Sequence, residues 1–154
     1  MNRRSIIIGL LSVCATLSTA GRRALAWVLI TEDEFSNESK TLRPAEVPSR
    51  AQPSGAPAIE VLEPDTTKPI KSPVTIRIRF RSQPGAAINP ATFRAKYGWL
   101  GIDITDRLIG NARVDASGVS ADNAEIPAGQ YMITLQVADN TGRVGTRALQ
   151  FRVV

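Results

Sequence analysis

Two runs near the C-terminus alternate between apolar and polar residues, and that alternation commits the chain to a two-faced sheet. In the first, Tyr131, Ile133, Leu135 and Val137 alternate with Met132, Thr134, Gln136 and Ala138. In the second, Leu149, Phe151 and Val153 alternate with Gln150, Arg152 and Val154. Side chains along a strand have a period of two, so each run presents one face to a core and one to water. Between them lies Asp139-Asn140-Thr141-Gly142-Arg143, rich in residues that accept turn geometry. The stretch Pro127 to Val154 therefore reads as a closing β-hairpin, with Asp139 bonding its own turn.

The same logic extends upstream. Ala58 to Leu62 is a first strand, and Val74, Ile76, Ile78 and Phe80 alternate with Thr75, Arg77, Arg79 and Arg81 in the clearest strand of the chain. Asn89-Pro90-Ala91-Thr92 reads as a turn or helical piece leading into a strand from Phe93 to Trp99. Short strands are also expected at Gly101 to Asp106, at Ala112 to Val114 and around Val119. Seven to eight short strands at about ten-residue spacing describe an all-β, antiparallel sandwich over residues 58–154.

The first 26 residues read as a secretory signal peptide. Arg3 and Arg4 form a basic start, Ile6 to Ala20 is apolar, and Ala24-Leu25-Ala26 is an A-x-A cleavage signal that leaves Trp27 first. The apolar stretch is short for a membrane span. Asn2-Arg3-Arg4-Ser5-Ile6 resembles the twin-arginine export motif, with an ordinary secretory signal as the alternative. Leu11-Ser12-Val13-Cys14 only vaguely resembles a lipidation motif, because Val13 stands where a small residue is wanted. On this reading the protein is periplasmic or secreted and meets the membrane only during export.

Residues 27–57 are expected to form a flexible Pro-rich linker. Pro44, Pro48, Pro53 and Pro57 fall among small and polar residues that bury too little apolar surface to offset chain entropy. Within it, Thr31 and Glu34 have the spacing of a helix-capping box, with a mobile terminus as the alternative.

Composition excludes several chemistries. Of the 19 Lys and Arg, four lie in the leader, which holds no acid, so 15 face 14 Asp and Glu in the remainder. A net charge of +1 gives little support to nucleic-acid binding. There is no histidine, and the single cysteine, Cys14, is in the leader. Histidine-based triads, thiolate or imidazole metal sites and disulfides therefore lie outside the reach of residues 27–154. No cofactor is expected.

Gly129-Gln-Tyr131, Val137-Ala-Asp139-Asn-Thr-Gly142 and Phe151-Arg-Val153 together resemble the closing strands of bacterial immunoglobulin-like domains of exported proteins. Ile88 to Phe93 and Ile102 to Thr105 resemble earlier strands of that family. The resemblance implies an immunoglobulin-like sandwich over about residues 57–154. It leaves function open, because such domains serve as spacers, adhesion modules and binding modules alike.

Two groups of residues are candidates for binding. Arg77, Arg79 and Arg81 share one strand face and could meet an anionic glycan or acidic partner, although solvated arginines that discourage edge aggregation are the favoured reading. Tyr97 and Trp99 lie between glycines and could stack on a sugar or anchor a protein. Positions i and i+2 of one strand share a face, so both are expected to point the same way, and the core is the favoured direction. Asp103, Asp106, Asp115, Asp122 and Asp139 match no calcium-loop spacing. The function expected from these features is an exported non-enzymatic module that binds an envelope protein or glycan. A structural spacer or an accessory subunit of a periplasmic enzyme is the alternative.

Overall fold

The computed structural model describes residues 26–40 and 52–154. Arg3, Arg4 and Cys14 of the expected leader, and Pro44 and Pro48 of the expected linker, lie outside the described residues. Among the described residues, nine strands and two helices follow in order: β1 (Trp27–Val28), α1 (Glu32–Lys40), β2 (Ala58–Glu63), β3 (Val74–Arg81), β4 (Ile88–Tyr97), β5 (Ile102–Asp103), α2 (Thr105–Asn111), β6 (Ala112–Asp115), β7 (Gly118–Glu125), β8 (Gly129–Asp139) and β9 (Val144–Val153). Two of these strands are only two residues long.

The strands form two sheets packed as a sandwich. One has the order β2-β3-β7, and the far edge of β7 is shared by β6 and, in parallel, by β1. The other has the order β5-β4-β8-β9. The core lies where the two apolar faces meet. Ile78 and Phe80 of β3 and Val119 and Ala121 of β7 face Phe93 and Ala95 of β4 and Leu135 and Val137 of β8. Phe80 and Phe93 meet across the sandwich with ring centroids 5.8 Å apart.

The hairpin β8–β9 pairs in unbroken register from Gly129 opposite Val153 to Ala138 opposite Val144. As the alternation requires, Tyr131, Ile133, Leu135 and Val137 are buried. Asp139 closes the turn: its carboxylate accepts from the Thr141 amide at 2.9 Å, the Arg143 amide at 3.0 Å and Arg143 Nε at 2.9 Å. Hydrogen bonding from Thr141 is the main cause of its carboxyl pKa falling to about 2. At the other end of the hairpin, the hydroxyl of Tyr131 donates to the carbonyl of Pro127 at 2.7 Å.

Three expectations need correction. Ile88 to Tyr97 is one strand and not a turn followed by a strand. The Asn89-Pro90 stretch is absorbed as an irregularity in register between Asn89 and Arg94, and Thr92 supplies the missing partner by accepting from the Ala138 amide at 2.8 Å. The strand expected at Gly101 to Asp106 is only Ile102–Asp103, and residues 105–111 form a helix instead; Asp103 accepts from the Thr105 amide at 2.8 Å, and Leu108 is buried.

The third correction concerns the stretch expected to begin the linker. Residues 27–40 are built into the sandwich as a strap. Trp27 and Val28 pair with Ala124 and Glu125, and Trp27 Nε1 donates to the Asp122 carbonyl at 2.9 Å. Leu29 and Ile30 are 2% and 0% exposed. The prolines lie further along the chain, and of the apolar run Trp27 to Ile30 it is Leu29 and Ile30 that enter the core. Thr31 and Glu34 form the capping box: the Thr31 amide donates to Glu34 Oε2 at 3.0 Å and the Glu34 amide to Thr31 Oγ1 at 3.3 Å. Acids fill the first turn of α1 and Lys40 ends it, as the helix dipole favours.

Candidate functional site

The strap crosses the end of the sandwich where β4 finishes and β8 begins. Phe35 projects from α1 onto Tyr131, with centroids 5.5 Å apart, and its ring occupies space that a side chain at Gly129 would need. Tyr131 in turn meets Tyr97 at 5.6 Å and Phe151 at 5.6 Å, so four aromatics close this end of the core. Arg107 of α2 locks the strap from the other side. Its Nη1 and Nη2 donate to Glu34 Oε2 at 2.7 Å and Oε1 at 2.6 Å, and Nη1 also reaches the Leu29 carbonyl at 3.0 Å. A two-pronged, charge-assisted pair of this kind fixes geometry as well as adding energy. Hydrogen bonding to Arg107 is the main cause of the Glu34 carboxyl falling to about 2. Sequence reasoning missed Arg107, which carries no motif of its own.

The aromatic closure leads directly to the Tyr97–Trp99 pair, which the structure separates. Tyr97 is the last residue of β4 and is 1% exposed. Burial, reinforced by the negative charges of Glu38 and Glu34, pushes its phenol up to about 12. At Gly98 the strand stops. This residue adopts φ +71°, donates its last ladder bond to the Met132 carbonyl at 2.8 Å, and starts a turn that ends at Gly101, φ +65°. The alternation of strand faces is lost at that point. Trp99 and Leu100 therefore form the tip of the turn, at 44% and 61% exposure. The expectation that Trp99 shares the inward face of Tyr97 is overturned.

Glu38 of α1 holds the tip in place. Its carboxylate lies against Gly98, in space that a Cβ there would fill, and accepts from the backbone amide of Trp99. Its other oxygen, Oε2, is buried without a hydrogen-bond partner among the described residues. The strap thus fixes the backbone of the turn, while the turn still presents a large part of two apolar side chains to solvent.

The arginine stripe looks different in three dimensions. Arg77, Arg79 and Arg81 do face outward from β3, as the burial of Ile78 and Phe80 between them requires. Two of them are engaged. Arg77 donates to the Ala121 carbonyl at 2.9 Å and to Asp122 at 2.7 Å, and Arg81 pairs with Glu60 at 2.8 Å. Neither surface pair is worth much in stability, but each reduces the charge available to a ligand. Arg79 is exposed and makes no ion pair among the described residues.

The aspartates Asp103, Asp106, Asp115, Asp122 and Asp139 lie on five different elements, β5, α2, β6, β7 and β8. Among the described residues, no three of Asp or Glu come together as a metal-holding group. Ala26 is exposed, and Trp27 enters the sheet. Compared with known proteins, the chain matches no family model, no curated protein and no solved structure.

Proposed function

We propose that this is an exported, non-enzymatic, immunoglobulin-like module whose Trp99–Leu100 tip docks on a protein or glycan of the cell envelope. The fold reading is supported by strand order. An immunoglobulin constant-type sandwich has sheets ABED and CFG. Here β2-β3-β7-β6 corresponds to the first, and β4-β8-β9, extended by β5, to the second. Ile70 bridges in parallel to Val153 at the outer edge of β9, so the segment after β2 crosses to the opposite sheet. A further support is the Tyr131 hydroxyl bound to the Pro127 carbonyl. That contact has the position and geometry of the tyrosine corner that opens the sixth strand of such domains. The export reading is supported by Trp27, which cleavage after Ala26 would leave first and which is already paired in the sheet.

The single observation that carries the functional reading is the exposed aromatic–aliphatic tip on a turn whose backbone is pinned by Glu38. A rigid, amphipathic aromatic at a loop tip loses little entropy on binding, which is why tryptophan dominates binding hot spots. Loops at the ends of a sandwich are free to serve this role while its sheet faces are committed to packing.

Site-specific photo-crosslinking tests the proposal. A photoreactive residue replacing Leu100 should form a defined adduct in cells. The same residue at Ile109, equally apolar and 44% exposed on α2, should not. Equal yields at both positions, or none at Leu100, would reject the tip as the docking element. N-terminal sequencing of exported material should begin at Trp27, and a start at Met1 would reject export with cleavage.

A further inference from the structure

The helix α1 holds the Trp99–Leu100 turn, yet little in its own sequence keeps it folded. Its nine residues, Glu-Asp-Glu-Phe-Ser-Asn-Glu-Ser-Lys, include one apolar side chain, Phe35, and none of the nine is buried. A helix of this length is marginal in water on its own. Ser36, Asn37 and Ser39 are weak helix formers, and the Ser39 hydroxyl bonds back to the Phe35 carbonyl at 2.8 Å, a contact that tends to bend a helix. The helix is therefore folded because it is docked.

The docking contacts divide it in two. Leu29 and Ile30, just before it, are anchored in the core, and Arg107 grips both Glu34 and the Leu29 carbonyl. The Thr31–Glu34 capping box closes the first turn. Beyond that turn Phe35 and Glu38, three residues apart on one helical face, meet the sandwich. The Phe35 ring sits over Gly129 and against Tyr131, and the Glu38 carboxylate sits over Gly98. Both sockets are glycines, where a Cβ would collide with the incoming side chain. Glu38 also opposes its own docking, because Oε2 is buried with no hydrogen-bond partner among the described residues. Few apolar contacts and an unpaired buried oxygen mark a segment that opens well before the whole domain unfolds. Gly98 and Gly101, which bound the turn, have no side chains to restrict it once Glu38 leaves.

We propose that residues 35–40 are a latch on the binding turn. They open and close as one unit while Leu29, Ile30 and Glu34 stay in place, and the Trp99 backbone is fixed only while the latch is closed. The functional consequence rests on the Trp99–Leu100 docking reading. Closure presents the tip preorganised, and opening lets the turn spread over many conformations. A partner of the tip therefore binds the closed state more tightly and, by linkage, keeps the latch shut.

Hydrogen exchange of individual amides, read by NMR on the full chain with no partner added, tests the latch. In the native protein the Glu38, Ser39, Lys40 and Trp99 amides should share one level of protection. That level should be at least about tenfold below that of the Leu29 amide, which donates to the Glu125 carbonyl, and of amides in β8, which is paired on both sides. Phe35→Ala leaves the chemistry of the Glu38–Trp99 contact unaltered. It should nevertheless lower protection of the Glu38 to Lys40 amides and of the Trp99 amide together, by about tenfold, with a much smaller change at Leu29 and in β8. Protection of Glu38 to Lys40 equal to that of β8, a Trp99 amide at its native rate in Phe35→Ala, or equal acceleration at Leu29 would each overturn the proposal. Because no partner is involved, any of these results leaves the tip as a docking element intact, and a missing adduct at Leu100 leaves the latch intact.

Discussion

Ile30→Ala is the sharpest probe of the strap. Ile30 is fully buried, and with Leu29 it fills the core from a segment whose neighbours further along are Pro-rich. Truncating a buried isoleucine loses the transfer energy of its methyl and methylene groups and leaves a cavity, at a typical cost of about 2–5 kcal/mol. The site can collapse little, because Leu29 on one side is tied through its amide to the Glu125 carbonyl and through its own carbonyl to Arg107. The upper part of that range is therefore expected. A domain of this size has a total stability of roughly 5–15 kcal/mol, so such a loss is a large fraction of the whole. Urea unfolding followed by circular dichroism reads it directly. With a slope of about 2 kcal/mol per molar urea, the midpoint should fall by about 2–2.5 M. Val28→Ala is the control: Val28 is in the same strap but 47% exposed, and its substitution should shift stability by about 0.5 kcal/mol or less. An Ile30→Ala midpoint indistinguishable from native would show that the strap is not part of the cooperative fold.

Two further outcomes follow from named contacts. Tyr131→Phe keeps the aromatic cluster but deletes the hydroxyl bond to Pro127, and should cost about 1 kcal/mol by chemical denaturation; no change would mean that this contact does not hold the corner. Glu34 has its carboxyl depressed from 4.5 to about 2, so its contribution is present in full above about pH 4.5 and is lost as pH falls towards 2. The stability difference between native protein and Glu34→Gln should therefore be constant at neutral pH, about 1–3 kcal/mol, and should vanish across that acid window; a difference independent of pH would contradict the Arg107 pairing.

What the sequence revealed depended on whether the relevant physics was local. The hairpin β8–β9 was legible because alternation and turn chemistry are both encoded within a few residues: Tyr131 to Val137 face the core and Asp139 closes its own turn. The capping box at Thr31 and Glu34 was legible for the same reason. The strap as a whole was not. Its burial depends on Glu125, Arg107 and Tyr131, which are distant in sequence, whereas its composition merges into the prolines that follow. The direction of Trp99 turned on one backbone angle. Alternation from Tyr97 predicted an inward side chain, and the positive φ at Gly98 redirected it. Both Gly98 and Gly101 were visible as flanking residues, and their pairing around two apolar residues was the overlooked signal of a turn. The arginine stripe was read correctly as one face of β3, but its partners Asp122 and Glu60 come from other strands.

The measurement that bears most directly on the central claim is Trp99→Ala, followed at once by thermal melting and by affinity for the component cross-linked at Leu100. A tryptophan that serves as a binding anchor should leave folding stability within about 0.5 kcal/mol of native, while binding weakens by at least about 2 kcal/mol, roughly thirtyfold. A loss of about 3–5 kcal/mol of stability would instead mark Trp99 as a packed residue, and native affinity in a stably folded Trp99→Ala protein would remove the tip from the binding surface.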